Sequence, residues 1–381
     1  MYLTEEHNMI RKTVRDFAER EVKPIARELD EKAEFSVPLT KRMGELGFFG
    51  LRTPQEFGGI DMDTLAYVIA VEELARVDSS QAATLAAHIS LGIGPIMNYG
   101  TDEQRKKYLP MLSTGDALWA FGLTEPDAGS DSRATKTTAR LEDDHWIING
   151  SKIFITNGAS IINKGATVQV VSGEVNGHKE FSTILVDADT PGFKRVPMHG
   201  KMMWRASDTS QLFFDECRVP ASNLLGKRGE GSHIMLSTLD SGRLAIGAMG
   251  LGLAQGAFEM AMTYAKSRKQ FGKPIAQFQI NAFKLADMAT KIELARNLLY
   301  KGAWLKSNDL PYAKEAAMAK LYCSEIAREV ADEAVQLHGG YGLMKDYDIE
   351  RFYRDQRLLQ IGEGTSEIQR MVISRYIGCF D

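Results

Sequence analysis

The sequence has few cysteines, no excess of one charge and no long hydrophobic run. Its 381 residues include three cysteines, Cys217, Cys323 and Cys379. They are too few and too far apart for a disulfide framework, so we expect reduced thiols in a reducing compartment. Forty-six Lys and Arg face fifty Asp and Glu, a net charge of −4, which argues against a nucleic-acid-binding protein. No apolar run approaches the ~18 residues of a membrane helix, and the acidic first residues do not resemble a signal peptide.

Several common motifs are also missing. The sequence contains no Walker loop, no HExxH and no paired CxxC, and its seven histidines are scattered, so we predict no metal site. The segment 250–256 (GLGLAQG) resembles a dinucleotide-binding loop, but its third glycine comes one residue late and no strand precedes it. We interpret these glycines as small residues that allow two helices to pack closely.

The residue pattern divides the chain into three parts. Residues 1–114 show helical periodicity, with a capping box at 101–104 (TDEQ). Residues 115–225 favour a compact antiparallel β domain, and residues 226–381 contain three long stretches rich in Ala, Leu, Met and Lys that are typical of a helical bundle. The predicted fold class is therefore α+β, with a β domain between two helical domains.

Two Asn-Gly pairs predict hairpins in the β domain. Asn149-Gly150 lies between 146–148 (WII) and 153–155 (IFI), and Asn176-Gly177 lies between 168–171 and 181–186. Both residues of such a pair tolerate positive φ, which a tight hairpin turn requires.

Four segments carry candidate chemistry. The loop 121–131 (FGLTEPDAGSD) is either a polar connection between domains or a loop that offers N–H groups and hydroxyls to a ligand. The strand 153–158 (IFITNG) is either an ordinary core strand or an apolar wall with a hydrogen-bonding group for a flat ring. The segment 268–272 (RKQFG) follows a long helix. The last segment combines 336–340 (QLHGG) with 361–369 (IGEGTSEIQ), in which Glu363 lies between two glycines.

The order and spacing of these segments resemble the acyl-CoA dehydrogenase flavoproteins over essentially the whole chain. The family signatures are T-E-P-x-A-G-S-D, I-T-N-G, R-x-x-F-G and E-G-T-x-x-I-Q, and each is present here in the same order. The resemblance implies the family's three-part fold, with an N-terminal α-helical domain, a middle antiparallel β domain and a C-terminal helical bundle.

The resemblance also implies an activity. Family members bind FAD and convert an acyl-CoA thioester into the trans-2-enoyl-CoA. Glu363 matches the catalytic base that removes the α proton, and N5 of the flavin takes the β hydride. The thioester oxygen is expected to lie between the backbone N–H of the glutamate and a ribityl hydroxyl, an arrangement that stabilises enolate charge as it develops.

The other site residues follow from the same resemblance. The expected FAD contacts are Phe121, Leu123, Thr124, Ser130, Phe154, Thr156, Arg268, Gln270, Phe271, Gln279, Gln336, Gly339, Gly340, Thr365 and Glu367. Of these, the residues that reach the FAD of a neighbouring subunit are expected to be Arg268, Gln270, Phe271, Gln279 and 336–340. The expected acyl-CoA contacts are Ser130, Asp240, Arg243, Gly362 and Gly364.

Departures from the family pattern bear on the acyl group. Relatives of the isovaleryl and long-chain types place the base directly before the arginine that matches Arg243, whereas this chain has Gly242 there. Residues 239–243 (LDSGR) resemble short-chain, butyryl-type members, many of which carry tyrosine where this chain has Gly362. The missing phenol predicts a wider pocket, so short to medium, branched, alicyclic and aromatic acyl groups all remain open.

The resemblance implies further properties. We expect a homotetramer that passes electrons to an electron-transfer flavoprotein in fatty acid or carboxylic acid degradation. The expected location is the cytoplasm, or the mitochondrial matrix for a mature imported form. The alternatives on the same fold are an acyl-CoA oxidase and a flavin monooxygenase, although monooxygenase relatives generally lack the glutamate. A third alternative is a helical scaffold that has lost its flavin.

Overall fold

The computed structural model describes residues 3–379. Seven helices form the N-terminal region of this range: α1 Glu5–Phe17, α2 Lys23–Lys32, α3 Val37–Glu45, α4 Thr64–Ala75, α5 Ser79–Ala87, α6 Gly94–Tyr99 and α7 Asp102–Ser113. Two π-helical segments join neighbouring helices, Ala18–Val22 and His88–Ile93. The predicted capping box is confirmed: Thr101 Oγ1 accepts from the Gln104 backbone N–H, and Gln104 Oε1 accepts from that of Thr101.

Strands dominate the middle of the chain. They are β1 Leu118–Gly122, β2 Thr138–Glu142, β3 His145–Thr156, β4 Asn163–Val175, β5 His178–Asp187, β6 Phe193–Pro197, β7 Thr209–Pro220 and β8 Leu224–Leu225. The sheet order is β6-β7-β3-β2-β4-β5-β8, with β1 also paired to β4. Most pairs are antiparallel, but β1 and β2 each run parallel to β4, which the expected all-antiparallel domain did not include.

One of the two predicted hairpins is wrong. Asn176 and Gly177 do form the turn between β4 and β5, with φ of +54° and +76°. Asn149 and Gly150 lie instead inside β3, where its pairing with β7 is shifted. Gly150 is needed because a Cβ there would lie 2.6 Å from Thr137 Oγ1. The pair therefore marks a bulge, for which glycine is also favoured.

Long helices return after the sheet. The elements are α8 Gly231–Ser267, β9 Lys269–Gln270, β10 Lys273–Pro274, α9 Gln279–Ser307, α10 Ala313–His338, α11 Ile349–Leu359 and α12 Ser366–Tyr376. Short 3₁₀ turns occur at Phe48–Gly50, Gln55–Phe57, Ser132–Ala134, Ala221–Asn223, Ile275–Gln277 and Gly339–Leu343. The N-terminal and C-terminal helices share one apolar core, and the sheet has its own.

Helix α8 lies at the centre of the shared core. An added Cβ at Gly250 would lie 2.8 Å from the Cys323 carbonyl oxygen of α10, and one at Gly252 would lie 2.2 Å from the Glu72 carbonyl oxygen of α4. These glycines therefore let α8 pack directly on two backbones, as the sequence predicted. Within residues 3–379, α8 is the one helix long and apolar enough to cross a membrane, but 78% of its most apolar window is buried inside the fold, as in a core helix.

Candidate active site

Glu363 lies on a short loop between α11 and α12, in a left-handed backbone conformation with φ of +53°. Such a conformation is uncommon for a residue other than glycine and has to be held by its surroundings. The side-chain amide of Gln369 donates to the carbonyl oxygens of Glu363 and Gly364, at 3.3 and 2.9 Å. Lys320 Nζ donates to the same Gly364 oxygen at 2.7 Å. Two side chains from different helices therefore fix the loop.

The carboxylate of Glu363 lies against α8. A Cβ added to Gly242 would lie 1.8 Å from Glu363 Oε2, and Leu91 lines the same space. Oε2 is fully buried and has no hydrogen-bond partner among residues 3–379, although Glu363 as a whole is half-buried. Burial raises the pKa of Glu363 to about 7, against the opposing charges of Lys320 and Arg243. A buried carboxyl without a partner and with a pKa near neutrality is suited to act as a base.

The predicted acyl-CoA residues Asp240 and Arg243 form an ion pair one turn apart on α8. Arg243 is buried and its Nε has no partner within the described range. Burial raises the pKa of Asp240, and Arg243 and Lys306 oppose this shift. The structure thus places Gly242 against Glu363 and Arg243 near enough to lower its pKa, and Asp240 joins this group through its ion pair with Arg243.

An apolar wall continues from this point to the start of the sheet. Phe121 and Leu123 are buried with Met235 of α8, and Leu91 and Leu239 pack against them. Leu91 also borders the position of a Gly242 Cβ. The first predicted flavin contacts therefore lie on an apolar cluster that reaches, through Leu91, the space occupied by the Glu363 carboxylate.

The outer face of β3 carries an aromatic ring that is largely exposed. Phe154 is 64% exposed and has φ of +60°, at a second shift in the pairing of β3 with β7. Ile155 is buried, whereas Thr156 is half-buried, so Phe154 and Thr156 share the outer face. An exposed phenyl ring beside a hydroxyl fits one face of a flat heteroaromatic ring.

The loop before β2 is held by a buried ion pair that the sequence did not predict. Lys152 Nζ and Glu125 Oε1 are 2.8 Å apart, and Glu125 also accepts from the backbone N–H groups of Lys136 and Thr137. Burial lowers the pKa of Lys152 to about 8. On the loop fixed in this way, Thr124 is half-buried and Ser130 is exposed, so both are accessible to a ligand.

A second group of predicted residues lies elsewhere. Arg268, Gln270, Gly339 and Gly340 line an open groove of about 510 Å³. Phe271 next to it is 93% exposed. Glu363 does not line this groove, so within the part of the chain that the structure describes the two groups of predicted residues lie apart.

The remaining predicted residues are dispersed. Gln279 and Gln336 are exposed on α9 and α10, outside the lining of this groove. Thr365 caps α12 by accepting from the Ile368 N–H at 3.3 Å. Glu367 is exposed and lines a different groove together with Thr365. Gly362 and Gly364 flank the base.

Lys320 and Gln369 were missed by the sequence analysis. Lys320 follows 316–319 (AAMA) in an Ala-rich helix, and a lysine in such a helix is ordinarily a solvated surface residue. Gln369 belongs to the quoted E-G-T-x-x-I-Q signature, so its place in a family motif was the available signal. No comparable signal marks Lys320.

Comparison with known proteins agrees with this arrangement. Three family descriptions match the chain: "Acyl-CoA dehydrogenase, N-terminal domain" at 4–116, the middle domain at 120–217 and the C-terminal domain at 229–378. The short-chain specific acyl-CoA dehydrogenase of Clostridium acetobutylicum is 46% identical over 98% of both chains.

Two solved structures are similar throughout. Butyryl-CoA dehydrogenase from Megasphaera elsdenii has a TM-score of 0.96 and 40% identity over 99% of both chains. A chain in the structure of the electron transferring flavoprotein of Acidaminococcus fermentans has a TM-score of 0.97 and 44% identity, again over 99% of both chains. The predicted fold is thereby confirmed, and the chain belongs to the acyl-CoA dehydrogenase family.

Proposed function

We propose that this chain oxidises a short-chain acyl-CoA thioester to the trans-2-enoyl-CoA, using FAD, and that the electrons pass to an electron-transfer flavoprotein. The observation that carries the proposal is the buried, unpartnered Oε2 of Glu363 against Gly242. The names of the relatives, short-chain acyl-CoA dehydrogenase and butyryl-CoA dehydrogenase, support the substrate class.

Glu363 has two tasks in this reaction. Its carboxylate accepts the α proton, for which a pKa of about 7 is well matched to neutral pH. Its backbone N–H has no acceptor among the described residues and is free to donate to the thioester oxygen. Such a donor stabilises negative charge that develops on that oxygen as the α proton leaves.

The residues around the base fit FAD. The exposed ring of Phe154 and the apolar surface of Phe121 and Leu123 suit the isoalloxazine, while Thr124 and Thr156 offer hydroxyls to its polar edge. A Cβ at Gly129 would meet no atom within 4 Å, so a ligand has space at this loop. Bound FAD supplies an acceptor for the hydride from the β carbon.

A panel of acyl-CoA thioesters tests the proposal. Each is added anaerobically to the purified holoprotein, and bleaching of the flavin absorbance is recorded with stopped flow. We expect the fastest bleaching with butyryl-CoA, and a colourless protein or a flavin that no acyl-CoA reduces would contradict the proposal. Branched and alicyclic thioesters in the same panel decide how wide the pocket is.

An acyl-CoA oxidase on the same fold differs only in the fate of the electrons. The reduced flavin of an oxidase reacts rapidly with O₂ and releases peroxide. We expect turnover to depend on an added electron-transfer flavoprotein or artificial acceptor, with little peroxide formed. Stoichiometric peroxide without an acceptor would favour the oxidase.

We further propose a homotetramer located in the cytoplasm. Large apolar side chains remain exposed beside the groove lined by Arg268 and Gln270 and on the adjoining helix α9, including Phe271 at 93%, Ile280 at 65% and Phe283 at 57%. Such side chains are typical of surfaces that a second subunit covers. The free thiols of Cys217, Cys323 and Cys379 support a reducing compartment. Sedimentation analysis and cell fractionation test these two statements.

A further inference from the structure

Lys320 is a buried cation placed behind the loop that carries the base. Its side chain on α10 is completely buried, and among residues 3–379 its Nζ donates to one side-chain or backbone acceptor, the Gly364 carbonyl oxygen, at 2.7 Å. No carboxylate among residues 3–379 lies within 4 Å of its Nζ. An ammonium in such a position is costly for the fold unless a charge interaction compensates for it.

The hydrogen bond alone does not explain a lysine at this position. Gln369 Nε2 already donates to the same Gly364 oxygen, at 2.9 Å, and to the Glu363 oxygen as well. A neutral side chain would therefore leave the loop with a donor. What Lys320 adds beyond Gln369 is a positive charge.

The nearby charges identify the group that this cation serves. Burial lowers the pKa of Lys320 to about 8, and among the nearby acids Glu363 opposes this shift most strongly, ahead of Glu325 and Glu367, while Arg243 lowers the pKa further. Glu325 is engaged elsewhere, because it accepts from Ser366 Oγ at 2.8 Å and from Gln360 at 3.3 Å. Glu367 is exposed to solvent. Glu363 is the acid whose Oε2 is buried without a hydrogen-bond partner among residues 3–379.

The charged groups that face Glu363 come from three helices. Lys320 extends from α10 and Arg243 from α8, and the phenol of Tyr67 on α4 is close enough for its own pKa to respond to Glu363. Arg243 is already paired with Asp240, which reduces its net effect on the base. Lys320 is the cation near the base for which the described residues provide no acidic partner within 4 Å.

We propose that Lys320 is a positioning residue for this reaction: it holds the Gly364 carbonyl behind the base, and its ammonium keeps Glu363 ionised while the acyl chain excludes water. The inference rests on the function proposed above. Exclusion of water disfavours a charged carboxylate, so without a nearby cation the base would take up a proton just when the substrate arrives.

The test compares variants of the holoprotein over pH 5.5 to 9. Lys320→Met removes the charge and the donor, and Lys320→Gln removes the charge but keeps a donor in case the first variant does not fold. Gln369→Met removes the neutral donor to the same carbonyl, and Lys314→Met makes the same change at a half-buried position on the same helix. Flavin reduction by butyryl-CoA is measured for each, with FAD content and circular dichroism as checks on folding.

Wild-type protein is measured first. If butyryl-CoA does not reduce its flavin, the proposed function fails and the inference with it. If it does, we expect both Lys320 variants to lose rate at a higher pH than wild type on the acidic side, where the base becomes protonated. The midpoint of this fall, the acidic limb of the rate profile, should rise by about one pH unit. This corresponds to a roughly tenfold loss at pH 6 that is largely regained at pH 9.

A role in folding alone gives a different result. In that case the Lys320 variants lose rate by the same factor at every pH, as we expect of Gln369→Met. The midpoint of their acidic limb then lies at the same pH as in wild type and Lys314→Met. An unmoved limb in a folded, yellow Lys320 variant therefore overturns the inference.

A second readout does not depend on turnover. The protonated carboxyl band of Glu363 is titrated by infrared difference spectroscopy, with Glu363→Gln as the reference that lacks it. We expect the midpoint of this titration to rise in Lys320→Met relative to wild type and to remain in place in Gln369→Met. Equal midpoints in all three proteins would show that Lys320 does not act on the charge of the base.

Discussion

The carboxylate of Glu363 occupies the space into which a side chain at Gly242 would extend. A Cβ at Gly242 would lie 1.8 Å from Glu363 Oε2 and 2.9 Å from Cδ, closer than atoms that are not bonded can approach. Gly242 belongs to α8 and Glu363 to the loop between α11 and α12, 121 positions later in the sequence. The position of the base is therefore set by the absence of a side chain on α8.

Gly242→Ala is expected to displace the base. The atom that must move is the end of a flexible side chain, so the fold should tolerate the methyl group, whereas the carboxylate has to leave its present position. Because a misplacement of about 1 Å in a reacting group can cost ~10²-fold, we expect flavin reduction by butyryl-CoA to slow by about 10- to 100-fold with FAD content unchanged. Gly247→Ala, on the same helix, serves as control because its Cβ would approach the side-chain atom Leu299 Cδ1 at 3.0 Å and would make ordinary contacts, at 3.6 Å, with the backbone of Ala319 and Lys320. Equal rates in wild type and Gly242→Ala would contradict the prediction.

Glu363→Gln is expected to keep the fold and FAD but to lose most of the reductive half-reaction. The amide has the size of the carboxylate and lacks a basic oxygen. A general base contributes on the order of 10²–10⁴-fold, and we expect a loss at least of that size in the single-turnover rate of flavin reduction. Acyl-CoA binding, followed by the shift of the flavin spectrum, should persist. A variant that still reduces its flavin within a few-fold of the wild-type rate would remove Glu363 as the base.

Glu363→Gln is also expected to differ from wild type in its free energy of unfolding, by an amount that depends on pH. Burial raises the pKa of Glu363 from the ordinary 4.5 to about 7, so between these values the folded state binds the proton more tightly than the unfolded chain. The free energy of unfolding that depends on Glu363 therefore decreases as pH rises through this window. Glu363→Gln should match wild type near pH 4 and exceed it above pH 8, by at most about 3 kcal/mol. Melting curves of both holoproteins at pH 5 and pH 8 measure this, and a difference that does not change with pH would be inconsistent with a raised pKa.

Phe271→Ser tests whether Phe271 and the neighbouring groove belong to an interface between subunits. A side chain that is 93% exposed in one chain contributes little to the stability of that chain, so its removal should not unfold a monomer. If a neighbouring subunit and its FAD cover the ring, the variant should lose FAD on gel filtration and shift toward smaller species in sedimentation. Ile161→Ser, at a position 85% exposed on another part of the surface, is the control. Full retention of FAD and of the tetramer in Phe271→Ser would argue against the interface.

Local patterns in the sequence predicted most of the fold. The Thr101 capping box, the Asn176-Gly177 turn and the small-residue packing of α8 depend on neighbours in sequence or on steric limits of glycine, and all three are present. The hairpin predicted at Asn149-Gly150 was wrong because the same dipeptide is favoured both in a tight turn and in a β-bulge. Which of the two forms depends on Thr137, which passes within contact distance of Gly150 and is not adjacent to it in sequence.

The candidate site shows the same limit. Glu363 could be predicted because glycines mark its loop, and Asp240 and Arg243 because they match a family segment. Lys320 could not, since a single lysine in the largely apolar stretch 316–324 (AAMAKLYCS) is ordinarily expected to reach solvent, and its burial becomes evident only in the folded chain. The unfavourable placement of a cation becomes visible only when its distance to Gly364 and its lack of a carboxylate are known.

Gly362→Tyr is expected to narrow the choice of acyl group toward straight short chains. Gly362 precedes the base, and it is not among the glycines with positive φ. An added Cβ would make ordinary contact with Leu358, at 3.6 Å, so a side chain at this position does not require the loop to change. The glycine is therefore not needed for the backbone bend, which favours a role in the space around the substrate.

A phenol at Gly362 would overlap the extra carbons that an α-branched or ring substrate places beside the base. Overpacking of a shaped apolar site costs about 1–3 kcal/mol, which corresponds to roughly 5- to 150-fold in selectivity. A linear butyryl chain should pass the ring with less penalty. The measurement is the ratio of kcat/KM for butyryl-CoA to that for a branched or alicyclic acyl-CoA, in wild type and variant, with Gly362→Ala as a control for the backbone. Because Ala adds the Cβ without the ring, its ratio should stay near that of wild type while the ratio of Gly362→Tyr rises. If tyrosine slows every substrate equally, Gly362 does not determine specificity, and the acyl group is selected by the wall formed by Leu91 and Leu239 instead.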